Sequence, residues 1–393
     1  MRQALLSGSQ PAGLDLQQGL TSQYIAVHGG AGVHARENDD AVKRAMRRAC
    51  ISGIHSCERD AEPAIYVVAK AIAVLEDDEV LNAGYGSNLT IAGTVECDAA
   101  LMDGASGDFG SVAALSGVKN PIRAALAVLV HSRVPDPLGR IPPMTLTSTG
   151  ALKFAASFGV PIVSPEALIT PHALAAWERW TARLKRARQA EATSLEGDNM
   201  GTELEGSGEG LHDSQDTVGA VVCVNGPDGV TSTAAGVSSG GLLLKLPGRV
   251  GEAAIFGAGC FAAHAIACSV SGAGEPITRA ALARTIVTAI SPLHISAGAD
   301  EGSDSDIDVH GALETALSQL HADAGVLLLA QGRVWCAFTT ESMAVAWTSG
   351  ASKQKAKAKI LRRSAGPGAG HSTEARVYIT SFPLDDANRG AGA

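Results

Sequence analysis

Residues 212–223 read "HDSQDTVGAVVC", and the chain changes character at one bond inside them. Upstream, residues 191–216 carry eight acidic residues, five glycines and neither Lys nor Arg, the composition of a disordered linker. From Thr217 a short apolar run begins at once, as a buried strand does. The seam is either an ordinary loop-to-strand boundary or a place where the chain is cut. If the Asp216–Thr217 bond breaks, Thr217 carries a hydroxyl and a free α-amine on one residue. An α-amine titrates near about 7.7–8 and can serve as general base for its own hydroxyl. That is the threonine form of nucleophilic catalysis, and the β-branch helps hold the oxygen at a fixed angle. Before the cut, the same hydroxyl can attack the Asp216 carbonyl to give an ester that water opens.

Outward from this seam the chain divides in two. On the N-terminal side, "YIAVHGGAG" (24–32) predicts a strand running into a glycine loop, followed by a helix over 38–55 and a second from Pro63. The glycine-rich 82–104 predicts hairpin strands, and helical spacing returns at 120–131 and 168–190. On the C-terminal side, strands are predicted in "TVGAVVCV", "VTSTAAGVSS", "AAIFGAG" and "AIACSVSG". Helices follow at 276–291 and 310–321, then three closing strands in "GVLLLAQG", "VWCAFTT" and "SMAVAWTSG". The order strand, helices, strands, repeated once, predicts an α+β fold with helices outside stacked sheets. The expected organisation is a tail over 1–22, one part of a domain over 23–190, the linker 191–216, the second part over 217–350, and a loosely held extension over 351–393.

Composition bounds the function. The 393 residues are 46% hydrophobic but only 4% aromatic, with 45 glycines, which suits closely packed layers. A net charge of −9 argues against a general nucleic-acid surface. Seven cysteines, irregularly spaced and without a C-x-x-C pair, read as reduced thiols rather than a disulfide frame or zinc site. Residues 1–22 lack an apolar signal core, and no run approaches the roughly 20 apolar residues that span a bilayer. The expectation is a protein of the cytoplasm or nucleus with no membrane or nucleic-acid partner and no cofactor.

Other motifs fail on context. "GVSSG" (236–240) matches a serine nucleophile elbow, but "GLLLKLPG" follows it where a helix is required. "DSDIDVHGALET" (304–315) opens like a calcium loop, yet Val309 and Thr315 stand where glycine and an acid are needed. The basic run at 178–188 reads as a solvated helix face or as an import or acidic-partner patch.

Thr217 gains weight from residues downstream. Attack on a carbonyl makes an oxyanion that needs preorganised donors, and "SVSGAGE" offers Ser271 and the Gly272 amide. An acidic substrate group calls for a forked guanidinium, which Arg249 supplies. Ser239 can hydrogen-bond the new amine and hold it near the hydroxyl.

Together these residues resemble the threonine-nucleophile asparaginases of the N-terminal nucleophile (Ntn) hydrolase fold. "HGGAG", "NAGYGSNL", "ECDAALMDG", "AALSGVKNP", "DTVGAVV", "SSGGL", "PGRVGE", "GAGC" and "SGAGE" fall in that family's order between residues 23 and 350. Within it, "GSNL" before "ECDA", "RIPP" at 140–143 and "TTESMAVAWTSG" at 339–350 are similar to the threonine aspartases, which cut proteins after aspartate.

The resemblance implies a four-layer αββα sandwich, self-cleavage before Thr217, and α and β chains paired as (αβ)2. It implies Thr217 as nucleophile assisted by Ser239, and Ser271 and Gly272 as oxyanion hole. Arg249 would lie on the substrate carboxylate and Gly274 in the pocket wall, and a structural sodium often lies near 75–81. The animal aspartases place a lysine where Asn38 stands, and Arg36 is the candidate to replace it. They are uncharged at the position of Glu252, whereas asparaginases use an acid there to hold a free amine. The expected substrates are proteins cut after an internal aspartate, with β-aspartyl dipeptides and asparagine as the alternative class. An interaction protein with a dead site is the third class.

Overall fold

The computed structural model describes residues 22–56, 63–195, 216–226, 231–291, 307–350, 355–363 and 377–384. Most of the expected N-terminal tail, linker residues 196–215 and the first acids of the calcium-like stretch lie outside them.

β1 (Ser22–Gly32) is followed by α1 (Asp39–Ser56) and α2 (Ala64–Glu76), then β2 (Cys97–Asp103), β3 (Phe109–Leu115) and α3 (Pro121–Ser132). A short β4 (Thr145–Thr147), α4 (Ser148–Ser157) and α5 (Pro171–Leu195) lead to the seam. Beyond it come β5 (Val218–Asn225), β6 (Thr231–Ser239), β7 (Cys260–Ala263), β8 (Ile266–Gly272), α6 (Gly274–Ala280), α7 (Leu282–Ala289) and α8 (Val309–Leu320). β9 (Ala324–Ala330), β10 (Arg333–Phe338), β11 (Ser342–Ser349), β12 (Lys357–Arg362) and β13 (Tyr378–Pro383) complete the chain. One sheet runs β12-β11-β1-β5-β6-β2-β3-β4 and the other β13-β10-β9-β8-β7.

Strand alternation assigns each side chain to a layer. Ile25 and Val27 of β1, with Val218, Ala220, Val222 and Val224 of β5, pack against α1, α2 and α3. The opposite parity, Tyr24 and Ala26 of β1 with Val221 and Cys223 of β5, meets Leu327 and Leu329 of the second sheet. The outer face of that sheet, with Cys268, Val270, Val326 and Leu328, is covered by α6, α7 and α8. The result is the α+β arrangement expected, helices outside two stacked sheets. Burial on both faces explains why β9 is apolar throughout rather than alternating, while β2 and β3, equally buried, carry the polar Asp98, Asp103 and Ser111. Thr217 shares the parity of Gly219, whose side-chain position is taken up by Ser269 and His28, so the seam opens into the space between the sheets.

Several local expectations are corrected. "AAIFGAG" is not a strand but a run of turns, with Ile255 N donating to Glu252 O at 3.1 Å and Gly257 at φ +78°. The helix expected over 276–291 is broken at Ala281, which takes a left-handed φ of +43° between α6 and α7. Only the end of 82–104 is strand. The extension beyond residue 350 is not loose throughout, because β12 pairs with β11 and β13 with β10. Trp347 stacks on Phe382 at 4.1 Å, and Phe338 on Tyr378 at 4.8 Å. Asp308, within the stretch that only opens like a calcium loop, caps α8 by accepting from Gly311 N at 2.8 Å. Ser238 of the rejected elbow lies in extended β6 and donates to Glu76 Oε1 at 2.7 Å. The basic run lies on α5, where Arg179, Lys185, Arg186 and Arg188 are exposed. The six described cysteines are buried and unpaired, and no described helix is long and apolar enough to cross a membrane.

Glu76 closes α2 beneath the site loop. Its Oε1 accepts from Ile122 N at 2.9 Å as well as from Ser238, while Oε2 has no partner among the described residues. Burial pushes its carboxyl up to about 8, against the pull of the Ser238 and Ile122 hydrogen bonds. The folded state therefore keeps a proton that the unfolded chain releases above about pH 4.5. Stability should fall by roughly 1 kcal/mol per pH unit as pH rises from there to about 8, the window set by the raised carboxyl. Glu76→Gln should flatten that slope in urea unfolding at pH 5, 6.5 and 8.

Candidate active site

β5 and β6 place Thr217 and Ser239 side by side, since their antiparallel register pairs Val218 with Ser238. Thr217 is 3% exposed, and its Oγ1 lies 3.0 Å from Ser239 Oγ and 3.1 Å from Glu252 Oε1. Ser239 Oγ also accepts from Gly241 N at 3.0 Å. Ser239, expected to assist Thr217, thus meets its hydroxyl directly, and so does Glu252, expected instead to bind substrate.

Glu252 opens the turn that replaces the expected strand, and its side chain is buried. Burial pushes its carboxyl up to about 7. Arg249 and the Thr217 hydroxyl pull it down, and Asp98 pushes it further up. Glu252 Oε2 and Arg249 Nη2 both lie 2.7 Å from where a Cβ on Gly274 would sit, so only glycine lets the acid and the guanidinium approach at that wall. Burial works against the Arg249 charge, but Glu275, Glu252 and Asp98 more than offset it. Arg249 forms a two-pronged pair with Glu275 at 2.9 and 2.8 Å. Asp98 of β2 accepts from Ala114 N and Gly251 N, both at 2.8 Å, and so anchors the loop that carries the arginine. A cation and a carboxylate side by side against a hydroxyl can receive a ligand bearing one group of each sign.

The Asp216 side chain does not enter the Arg249 pocket. Its carboxyl packs on Gly30, which a Cβ would bring to 2.5 Å from Asp216 Oδ1 and whose φ is +104°, and on Gly32. His34 Nε2 stands 3.9 Å from Asp216 Oδ2. Burial raises the Asp216 carboxyl and His34 partly offsets that. His34 is itself held by Ser342, with Nδ1 to Oγ at 2.9 Å. Arg36 is exposed on a single turn over Arg36–Asn38, and its side chain has no ion pair or hydrogen bond among the described residues. The side chain beside Asp216 is therefore His34, two residues before Arg36.

Ser271 and Gly272 end β8 opposite HGGAG, which is the irregular end of strand β1 rather than the expected glycine loop. Ser271 Oγ accepts from Ala31 N at 3.1 Å, and Gly272 needs its lack of a side chain because φ is +138° and Asp323 O blocks a Cβ. Neither is hydrogen-bonded to Thr217 in the uncut chain. The carbonyl of Asp216 is gripped elsewhere: Asn82 Nδ2 donates to it at 2.8 Å and to Gly241 O at 2.9 Å. Asn82 Oδ1 accepts from Asn88 N at 2.9 Å, which fixes the amide's orientation. Asn82 opens "NAGYGSNL", and no local pattern marks it, since its partners lie 134 and 159 residues away. His28 was missed for the same reason. It is fully buried, with Nε2 2.8 Å from Ser269 Oγ, and burial drives its imidazole down to about 3 against the opposing Thr217 backbone.

The family model described as Asparaginase matches residues 21–357. The chain belongs to the type 2 asparaginase family. Its relatives include an isoaspartyl peptidase/L-asparaginase of Xenopus laevis, 32% identical over 81% of this chain and 90% of that protein. One of the same name from Homo sapiens is 33% identical over 81% and 91%. A plant-type L-asparaginase of Pyrococcus abyssi is 33% identical over 82% and 95%. This type 2 asparaginase chain is accordingly a hydrolase by family. The sodium that the resemblance implies has a fitting cradle: the Asp78, Glu79 and Leu81 carbonyl oxygens converge where a Gly86 Cβ would sit. Such hard oxygen donors suit that cation, and Asp78, Glu79 and Leu81 would hold it as a structural brace for the loop carrying Asn82.

Loss of the Asn82 amide should leave charge on the Asp216 oxygen unsupported. Asn82→Ala should slow cleavage at the 216/217 bond about 100-fold, read as the half-life of full-length chain on a gel.

Proposed function

We propose that this chain is a self-processing hydrolase in which Thr217, freed by a cut after Asp216, attacks aspartyl carbonyls while Arg249 holds the substrate's free carboxylate. The observation that carries the reading is the buried contact of the Thr217 hydroxyl with Ser239 and Glu252, at the one residue whose nitrogen becomes a terminus. Once free, that amine lies on the same residue as the nucleophile and titrates near neutrality.

Hydrolysis of β-aspartyl dipeptides or asparagine is the substrate class best supported. Glu252 beside Arg249 offers an acid for a free α-amine next to a cation for the α-carboxylate, and the relatives' names point the same way. A second reading, cleavage of proteins after an internal aspartate, is supported by the bond already presented to Thr217. That bond is an α-linked Asp216 peptide inside a polypeptide, with its carbonyl held by Asn82. On this reading Arg249 takes the β-carboxylate, and a protonated Glu252 faces a peptide group.

Intact mass should show two chains meeting at 216/217, and a single chain in Thr217→Ala. The mature protein should release ammonia from asparagine and split β-aspartyl dipeptides. Cutting of a blocked peptide with an internal Asp, and none of those two substrates, would transfer the assignment to the second reading. Arg249→Ala should lower kcat/KM about 100-fold or more on either class.

A further inference from the structure

Before the chain is cut, the Thr217 nitrogen is an amide and cannot act as a base. Self-cleavage therefore needs another acceptor for the hydroxyl proton, and the precursor geometry offers two atoms within reach. A hydroxyl has one proton to donate. If it goes to Glu252 Oε1 at 3.1 Å, Ser239 can turn its own proton toward Thr217 Oγ1 at 3.0 Å while accepting from Gly241 N. All three contacts are then satisfied, and the threonine proton already lies on the line to a carboxylate.

We propose that Glu252 is the general base of maturation, taking the Thr217 hydroxyl proton when the precursor cuts itself. It is the only titratable side chain hydrogen-bonded to Thr217 Oγ1 among the described residues. The other ionisable groups nearby are engaged. Asp216 turns its carboxyl to Gly30 and His34, and His28 is bound to Ser269. Asp98 of β2 accepts two amides, Lys245 donates to Glu96 O at 2.6 Å, and Arg249 is paired with Glu275 of α6. Arg249 and Asp98 act on Glu252 in opposite senses, and burial holds its carboxyl at about 7, so near neutrality a large share is carboxylate. A base of that strength suits proton transfer at the working pH.

The step balances within the chain. The Thr217 proton passes to Glu252, and Oγ1 bonds to the Asp216 carbonyl carbon. The carbonyl electron pair moves onto the oxygen held by Asn82. Collapse of this oxyanion breaks the C–N bond, and Glu252 returns the proton to the departing nitrogen. The product is an ester of Asp216 on Thr217 Oγ1 with a free amine, which water opens to a carboxylate and a hydroxyl. Glu252, ionised again, is then left beside Arg249 to receive the amine of a substrate. One acid thus serves maturation first and recognition afterwards.

The inference rests on self-processing, and the test separates the two. Full-length chain made by cell-free translation is chased between pH 5 and 9, and cleavage is followed on gels. For wild type the rate should rise about tenfold per pH unit below about pH 7, where burial places the Glu252 carboxyl, and level off above. Glu252→Gln, which keeps size and shape, should cleave about 100-fold more slowly at pH 8 and lose that slope. Circular dichroism and thermal unfolding should match wild type. Formate should restore part of the rate in Glu252→Ala, a response that a purely structural loss would not show. Equal rates and slopes in wild type and Glu252→Gln, or no formate effect, would overturn the assignment of the base while leaving self-processing intact. No cut in wild type at any pH would overturn both.

Discussion

A hydroxyl and a carboxylate share a nearly dry space between two sheets, and the surrounding structure is arranged around that constraint. Thr217 and Glu252 are each 3% exposed, and an ionised acid in such a place is costly unless it is paired and hydrogen-bonded. Arg249 supplies the charge, Thr217 the hydrogen bond, and Gly274 the room. Asp98 then fixes the arginine's loop through Gly251 N. Because the nearby Arg249 charge and the Thr217 hydrogen bond only partly offset burial, the Glu252 carboxyl is held at about 7. That balance is what the two roles proposed for Glu252 require.

The layers explain how so polar a cluster is tolerated. β1, β5 and β6 lie in the middle of the larger sheet, with helices on one face and the second sheet on the other. The site lies at one end of these strands, where loops from both halves of the chain supply backbone donors. The HGGAG glycines let Asp216 pack against main chain, and Asn82 reaches across to its carbonyl. The Asp216 side chain therefore lies against the HGGAG glycines and His34.

Much of the architecture was legible in order. β1, α1, α2, α3 and β8 to β11 follow from apolar periodicity, because each presents a regular face to a layer. Failures cluster where backbone conformation is set by distant contacts. The 253–259 segment is as apolar as a strand, yet it turns because Glu252 and Gly259 must pass close to each other. β12 and β13 look like a basic and glycine-rich tail, but pairing with β11 and β10 overrides weak local preference. Residue chemistry singled out Thr217, Ser239 and Arg249, the family resemblance added Glu252, and the fold gathers them. It leaves Arg36 in solvent and brings in His34, Asn82 and His28, whose partners are far off in sequence.

By itself, then, the amino-acid order determined the α+β layering, the seam at Thr217 and the set of groups able to serve a threonine nucleophile. These are properties of composition, period and single-residue chemistry, which are local. Tertiary structure alone decided that Asp216 faces His34 rather than Arg249, that Asn82 holds its carbonyl, and that Glu252 touches the threonine hydroxyl. Such choices depend on distances of about 3 Å between segments more than thirty residues apart, and no local pattern encodes them.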